Sequence, residues 1–301
     1  MAPAAERDRV DEDHRAEGPL LSFGVIADCQ GAGPDAEPHP VRHYRLSEAK
    51  LAAAVAGFNS RDLAFVISLG DLIDRSARDL DPLLAVLATS RAPVRHCLGN
   101  HDLLGFDGDA DAAVRGLAMP GPWYAWTERG VRFVVLDTNR LGVIDQPSDS
   151  PGRRDRMAAL AARRAAGAIN AEPWNGGVDP EQLAWLGEQL DLAAAAGQPA
   201  IVLAHQPVAP AGPLVALNAT EIAAVLSRPG VEPLAYLNGH DHAGGLGWIG
   251  PTPDLTFVGM VDTTENAYAV VDVHPDRLVV TGFGREPSRV LTRRDPSDSR
   301  E

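Results

Sequence analysis

The chain has 301 residues, with 41 acidic side chains against 27 basic ones and a formal net charge of −14. That balance argues against a broad nucleic-acid or anionic-membrane surface, yet admits an anionic substrate where a bound cation reverses the local field. The length allows one large α/β domain or two small ones, the apolar runs are strand-length, and Cys29 and Cys97 are too few for a disulfide scaffold. With no apolar signal segment in residues 1–19, a cytoplasmic location is expected.

Residues 1–20 are polar, charged and proline-containing, the composition of a disordered leader. Leu21 to Ala27 is a buried-strand run that ends in Asp28-Cys29-Gln30, and a Gly/Pro-rich loop fills 31–40. Apolar positions at helical spacing (Leu46, Ala49, Ala53, Val55, Phe58) predict a helix over 43–58. Phe65 to Leu69 is a second strand and opens into Gly70-Asp71-Leu72-Ile73-Asp74. A helix over 77–90 and a third strand, Val94 to Leu98, lead to Gly99-Asn100-His101-Asp102. Strands alternating with helices predict a layered α/β sheet, in which ligands bind beyond the carboxyl ends of the strands.

The second half continues the alternation. Trp123 to Trp126 and Val131 to Leu136 form a predicted hairpin across Glu128-Arg129-Gly130. Residues 141–173 read as a polar insert, rich in Arg and Ala, with a helix near 153–168. Asp179 and Pro180 are a cap and first-turn pair for a helix ending at Gly197. Ala200 to Ala204 is a strand ending in His205, and Asn218 with Glu221 reads as a capping box. Leu234 to Leu237 is a strand ending in Asn238-Gly239-His240-Asp241-His242. Strands near 255–261, 267–273 and 278–283 close the domain, with 285–301 as a charged tail.

Five strand ends therefore carry Asp28-x-Gln30, Asp71, Asn100-His101, His205 and His240-x-His242. Oxygen and imidazole donors without a thiolate suit divalent Mn or Fe, and also Zn or Mg, and the count is enough for two ions. The i, i+2 spacing in the first and last sets puts both side chains on one side of an extended segment. Taken singly, Asp28 or Asp71 reads as a turn residue, His205 as either a core histidine or a ligand, and Asn100 as a turn former. Their recurrence at successive strand ends is what favours a metal centre.

These motifs, Asp28-x-Gln30, Gly70-Asp71-x-x-Asp74, Gly99-Asn100-His101-Asp102, His205 and Gly239-His240-x-His242, resemble those of the calcineurin-like metallophosphoesterases. Gln30 stands where the family usually has His. That departure, with Trp174-Asn175-Gly176-Gly177 and Gln182-Leu183-x-Trp185-Leu186, is similar to the manganese-dependent ADP-ribose/CDP-alcohol diphosphatases. The resemblance spans about Phe23 to Arg294 and implies a four-layer α/β/β/α sandwich of two packed mixed sheets flanked by helices.

The resemblance further implies that Asp28, Gln30, Asp71 and His242 hold one ion, while Asp71, Asn100, His205 and His240 hold the other. Asp71 would bridge with one oxygen on each. His101 would serve the leaving oxygen, its ring oriented by Asp102, and Asp74 is either a further support or a helix cap. Water whose pKa the ions pull from about 15.7 towards 7 would attack phosphorus in line. Arg42, His43, Tyr44 and Asn175 are candidate substrate contacts, and the substrate is expected to be a small phosphorylated metabolite or nucleotide. A phosphomonoesterase or phosphodiesterase on another metabolite, and a non-catalytic metal-binding module, stay open as other classes.

Overall fold

The computed structural model describes residues 18–294 as two six-stranded mixed sheets packed face to face, with helices on both outer surfaces. In chain order the strands are β1 (Leu21–Ile26), β2 (Phe65–Ser68), β3 (Val94–His96), β4 (Tyr124–Glu128), β5 (Val131–Val135) and β6 (Ala200–Leu203). They continue as β7 (Ala235–Asn238), β8 (Gly245–Ile249), β9 (Thr252–Thr256), β10 (Ala267–Val273), β11 (Arg277–Gly284) and β12 (Arg289–Thr292). The helices are α1 (Ser47–Asn59), α2 (Leu80–Leu87), α3 (Asn100–Gly105), α4 (Ala110–Gly116), α5 (Pro151–Ala165), α6 (Pro180–Ala195) and α7 (Ala219–Leu226).

The first sheet runs β12-β11-β10-β1-β2-β3 and the second β4-β5-β6-β7-β9-β8. β1, β2 and β3 are mutually parallel, as are β5, β6, β7 and β9, so their carboxyl ends collect along one edge of each sheet. The facing sides of the sheets interlock through aromatic rings. Phe23 stacks on Phe65 at 4.9 Å between centroids, and Phe65 meets Phe133 edge-on at 5.0 Å. All three rings are fully buried, and truncating one to Ala costs about 3–5 kcal/mol. Separate apolar clusters under α1–α4 and under α6–α7 seal the outer faces.

The four-layer architecture is as expected from the sequence. The hairpin β4–β5 turns at Arg129-Gly130, both with positive φ, and Asp179 caps α6 by accepting from the Gln182 amide at 2.9 Å. Four expectations change, the first being that the strand expected near 255–261 is β9, Thr252–Thr256. Asn218 makes no side-chain cap; its amide group instead clamps Val178, accepting from its N–H at 3.0 Å and donating to its carbonyl at 2.7 Å. Two strands were not anticipated: β8, glycine-rich yet paired antiparallel with β9, and β12, which pairs with β11 inside the supposed charged tail. Residues 1–17 of the leader expected over 1–20, and residues 295–301 of the tail, lie outside the described residues.

Candidate metal centre

The parallel strand ends deliver their polar side chains to one buried point. Four of these residues hold left-handed backbone: Asp28 (φ 50°), Gln30 (φ 44°), Asp71 (φ 55°) and His240 (φ 68°). Each such turn costs about 1–3 kcal/mol in a residue with a Cβ and persists only where the surrounding fold imposes it. The imposition is visible in the packing. A Cβ on Gly99 would overlap the carboxylate and amide of Asp71, and one on Gly70, itself at φ 98°, would lie 2.6 Å from His205 Nδ1. Backbones thus approach more closely than any other residue type allows.

Asp71 sits between two groups of donors. Its Oδ1 accepts from the His101 main-chain N–H at 2.7 Å. Oδ2 is then the oxygen that faces both groups, 3.2 Å from Gln30 Nε2 and 3.3 Å from His205 Nε2. Of the two Asp71 oxygens, Oδ2 alone faces both donor groups, where the sequence expectation gave each ion its own oxygen. On one side Gln30 lies 3.2 Å from His242 Nε2, which is 3.5 Å from Asp28 Oδ1. On the other, His205 Nε2 is 2.9 Å from Asn100 Oδ1 and 3.2 Å from His240 Nδ1. All seven expected ligands are thereby brought together.

The three histidines share one design. His205 Nδ1 donates to the Leu69 carbonyl at 2.9 Å, His240 Nε2 to Asn175 Oδ1 at 2.9 Å, and His242 Nδ1 to Asp262 Oδ1 at 3.1 Å. Each outer nitrogen holds its proton on an oxygen, which leaves the inner nitrogen as a lone-pair donor pointing at the centre. Gln30 turns its Nε2 towards Asp71 and His242, and its Oε1 is buried without a hydrogen-bond partner, so a turn of the amide presents that oxygen as the donor. A buried polar atom left so is costly unless something outside the chain satisfies it. Donor atoms of Asp71, His205 and His240 lie within 4.8 Å of one another. The set fits hard divalent ions.

The electrostatics agree. Burial alone would raise Asp71, but the facing His205 and His101 hold its carboxyl well below the carboxylate range. Burial lowers His205 while Asp71 raises it, with a net rise to about 9. His242, pulled down by burial and up by Asp262 and Asp28, reaches about 10. His240 goes the other way, held well below the ordinary value by burial and by His205. A cation bound here would replace the protons that His205 and His242 hold.

His101 stands beside the centre, its Nδ1 2.7 Å from the Asp74 carbonyl and 2.9 Å from Asp74 Oδ1. This corrects the expected role of Asp102, whose carboxylate is occupied by main-chain amides. Oδ2 accepts from Asp71 at 2.9 Å and from Gly99 at 3.0 Å, while Oδ1 accepts from Leu72 at 2.9 Å. Asp102 shapes the loop that carries Asp71, and Asp74 orients the His101 ring.

Above the centre opens a cavity of about 1120 Å³, lined by Gln30, Asp71, Asn100, His101, His240 and His242 at its base. Arg42, Tyr44, Arg75, Arg153, Arg154, Met157 and Trp174 line its walls. Arg42 and Tyr44 thus reach the cavity as expected, whereas His43 and Asn175 do not. Asn175 is 1% exposed and spends its amide on the Asn170 and Pro213 carbonyls while steadying His240. Trp174, 43% exposed, belongs to the wall. Asp262 and the insert arginines went unnoticed in the sequence. Asp262 lies in the segment that follows β9, another of the parallel strands, and a carboxylate just beyond the strand expected near 255–261 was the available signal.

The profile of calcineurin-like phosphoesterases matches residues 21–244. A mouse protein named manganese-dependent ADP-ribose/CDP-alcohol diphosphatase is 28% identical over 92% of this chain and 94% of its own length. A rice protein of the same name is 30% identical over 88% of this chain and 91% of its own. Among solved structures, a dimetal phosphatase from Danio rerio superposes with a TM-score of 0.77 at 26% identity, covering 92% of this chain and all of the other. The profile covers most of the chain, and the chain belongs to the calcineurin-like phosphoesterase family of metal-dependent phosphohydrolases.

Proposed function

We propose that this phosphohydrolase cleaves the phosphoanhydride bond of nucleoside diphosphate derivatives such as ADP-ribose or CDP-alcohols, with two Mn²⁺ ions bound. The observation that carries the reading is a two-sided donor set around Asp71 Oδ2 at the base of a cavity of about 1120 Å³ with arginines on its walls. A diphosphate ester needs that combination: a centre for one phosphate, cations for the other and room for the groups beyond. The names of the relatives support the same substrate class.

Asp28, Gln30, His242 and Asp71 would hold one ion, and Asn100, His205, His240 and Asp71 the other. The ions would supply Lewis-acid charge and lower the pKa of a bound water towards about 7. The chain's own part is orientation and proton transfer. His101 Nδ1 is anchored on Asp74, which leaves Nε2 as the nitrogen free to serve the cavity. Burial depresses this imidazole, but Asp71 and Asp74 more than compensate and raise it above its ordinary value. The protonated ring then donates from Nε2 to the leaving phosphate oxygen, a contribution of roughly 10²–10⁴-fold. Arg42, Arg153 and Arg154 line the cavity wall and would neutralise the phosphate that is not attacked.

The test is a metal-stripped preparation resupplied with Mn²⁺ and offered ADP-ribose, CDP-choline, an aryl monophosphate and a cyclic nucleotide. The expected order puts the two diphosphates first by kcat/KM. A preference for the monoester or the cyclic nucleotide would replace the substrate class, and no hydrolysis with any divalent ion would overturn the reading.

A further inference from the structure

The segment after β9 forms a strap between the metal centre and α1. Met260 N and Val261 N donate to the Ala27 and Asp28 carbonyls, each at 2.9 Å. On the strap's other side His43 N donates to the Val261 carbonyl at 2.9 Å and Thr263 N to that of Val41 at 3.0 Å. Arg42 and Asp262 face each other there as an isolated β-bridge. One residue of the strap reaches the centre: Asp262, whose Oδ1 is 3.1 Å from His242 Nδ1.

Two cations fasten the strap from beneath. Lys50 of α1, only 6% exposed, donates through Nζ to the carbonyls of Met260, Asp262 and Thr263 at 2.7, 3.2 and 2.7 Å. All three ammonium protons are thus committed to main-chain oxygens that bracket Asp262. A buried ammonium is strongly unfavourable unless saturated in this way. Arg285 donates to the Gly259 carbonyl at 2.5 Å. A Cβ on Gly259 would lie 2.8–3.1 Å from His242, so the strap and that histidine already pack at the limit of contact.

We infer that Asp262 is a positioning residue of the metal centre and that Lys50 is the tie that fixes its position. A carboxylate accepting from Nδ1 selects the tautomer with a lone pair on Nε2, the nitrogen that faces Asp28 and Gln30. Without it the ring is free to turn, or to put its proton on Nε2 and lose the donor. Lys50 acts one step further back, through the carbonyls on either side of Asp262. The same strap pairs with Arg42, so the height of one metal ligand and of one cleft cation are set together. This inference rests on the two-metal reading proposed above, which it deepens on the side of Asp28, Gln30 and His242.

The experiment is Mn²⁺ binding, followed by the electron paramagnetic resonance of the free ion, on wild type, Asp262→Ala, Asp262→Asn and Lys50→Met. Wild type should bind two ions. Asp262→Ala should weaken one of them by roughly 10–100-fold and leave the other unchanged. Asp262→Asn, which keeps a neutral acceptor and the shape of the side chain, should fall between the two, and it carries the test if the Ala variant does not fold. Lys50→Met should weaken the same ion, by less. Wild-type affinities in both folded Asp262 variants, or equal loss at both ions, would overturn the inference while leaving the functional reading intact. A wild type that binds no ion would overturn both.

Discussion

At the base of the cleft, Asp28, Asp71 and His205 are at most 1% exposed, while on its wall Met157 and Trp174 are 49% and 43% exposed. The base is made by strand ends locked in place, with three histidines whose outer protons are each pinned to an oxygen. The wall is made by the 39–44 segment and the insert that contains α5, whose arginines make chiefly main-chain contacts, as Arg153 does with the Gln146 carbonyl at 3.0 Å. The difference separates two jobs. On the proposed function, chemistry that must place charge within tenths of an ångström falls to sheet edges, and recognition of what lies beyond the reacting phosphate falls to loops and one surface helix.

That division predicts how substitutions sort. The largest effect belongs to Asp71→Ala, which removes the oxygen both donor groups share; turnover should vanish together with tight binding of both ions. Near-normal turnover with two ions still bound would break the division at its base. Next comes His101→Ala, expected to lower kcat by roughly 10²–10⁴-fold while both ions remain. Elemental analysis beside kinetics decides it, since loss of one metal equivalent would make His101 a ligand. On the wall, replacing Arg153 and Arg154 together with Ala should raise KM for ADP-ribose by roughly tenfold, with kcat little changed. A fall in kcat at constant KM would mean that the wall takes part in the chemical step.

The base also makes a pH prediction. His205 and His242 are raised to about 9 and 10 in the folded protein without metal, against about 6.5 unfolded. Their contribution to metal-free stability is therefore complete below about 6.5 and is lost as pH rises through 9 and 10. Asp71, held low, contributes above about 3.9 and loses that contribution only in acid. Ions compete with those imidazole protons, so Mn²⁺ should raise Tm more at pH 8.5 than at pH 6.5. A metal-induced shift independent of pH would contradict this assignment of protons.

How much of this was legible in the sequence follows the same line. Apolar runs ending in Asp28, Asp71, Asn100, His205 and His240 were readable because both strand burial and ligand chemistry restrict residue type. Which of two carboxylates faces the His101 ring was not readable, because Asp74 and Asp102 are both within reach and only the turn decides between them. β8 was hidden because its glycines read as a loop. One of them, Gly247, is needed where a Cβ would strike the Ala209 carbonyl. β12 was hidden by Arg289 and by the arginines that follow it, although Leu291 within it is fully buried. Lys50 looked like any helix lysine, and nothing local to it announces three carbonyls arriving from residues 260–263.

A smaller effect sharpens the comparison from inside the base. Gln30 offers a weaker donor than imidazole, so Gln30→His should move metal preference away from Mn²⁺ and alter the ratio of diphosphate to aryl phosphate hydrolysis. Superimposable Mn²⁺ titrations and equal substrate ratios in the two proteins would mean that Gln30 tunes neither.

The central claim is that Asp71 would join the two ions of the proposed centre, and low-temperature electron paramagnetic resonance of the protein loaded with two Mn²⁺ tests it most directly. Ions joined through a shared ligand couple magnetically, so the account predicts the multiline spectrum of a coupled pair, absent from Asp71→Ala. Two independent six-line signals in the wild-type protein would contradict it.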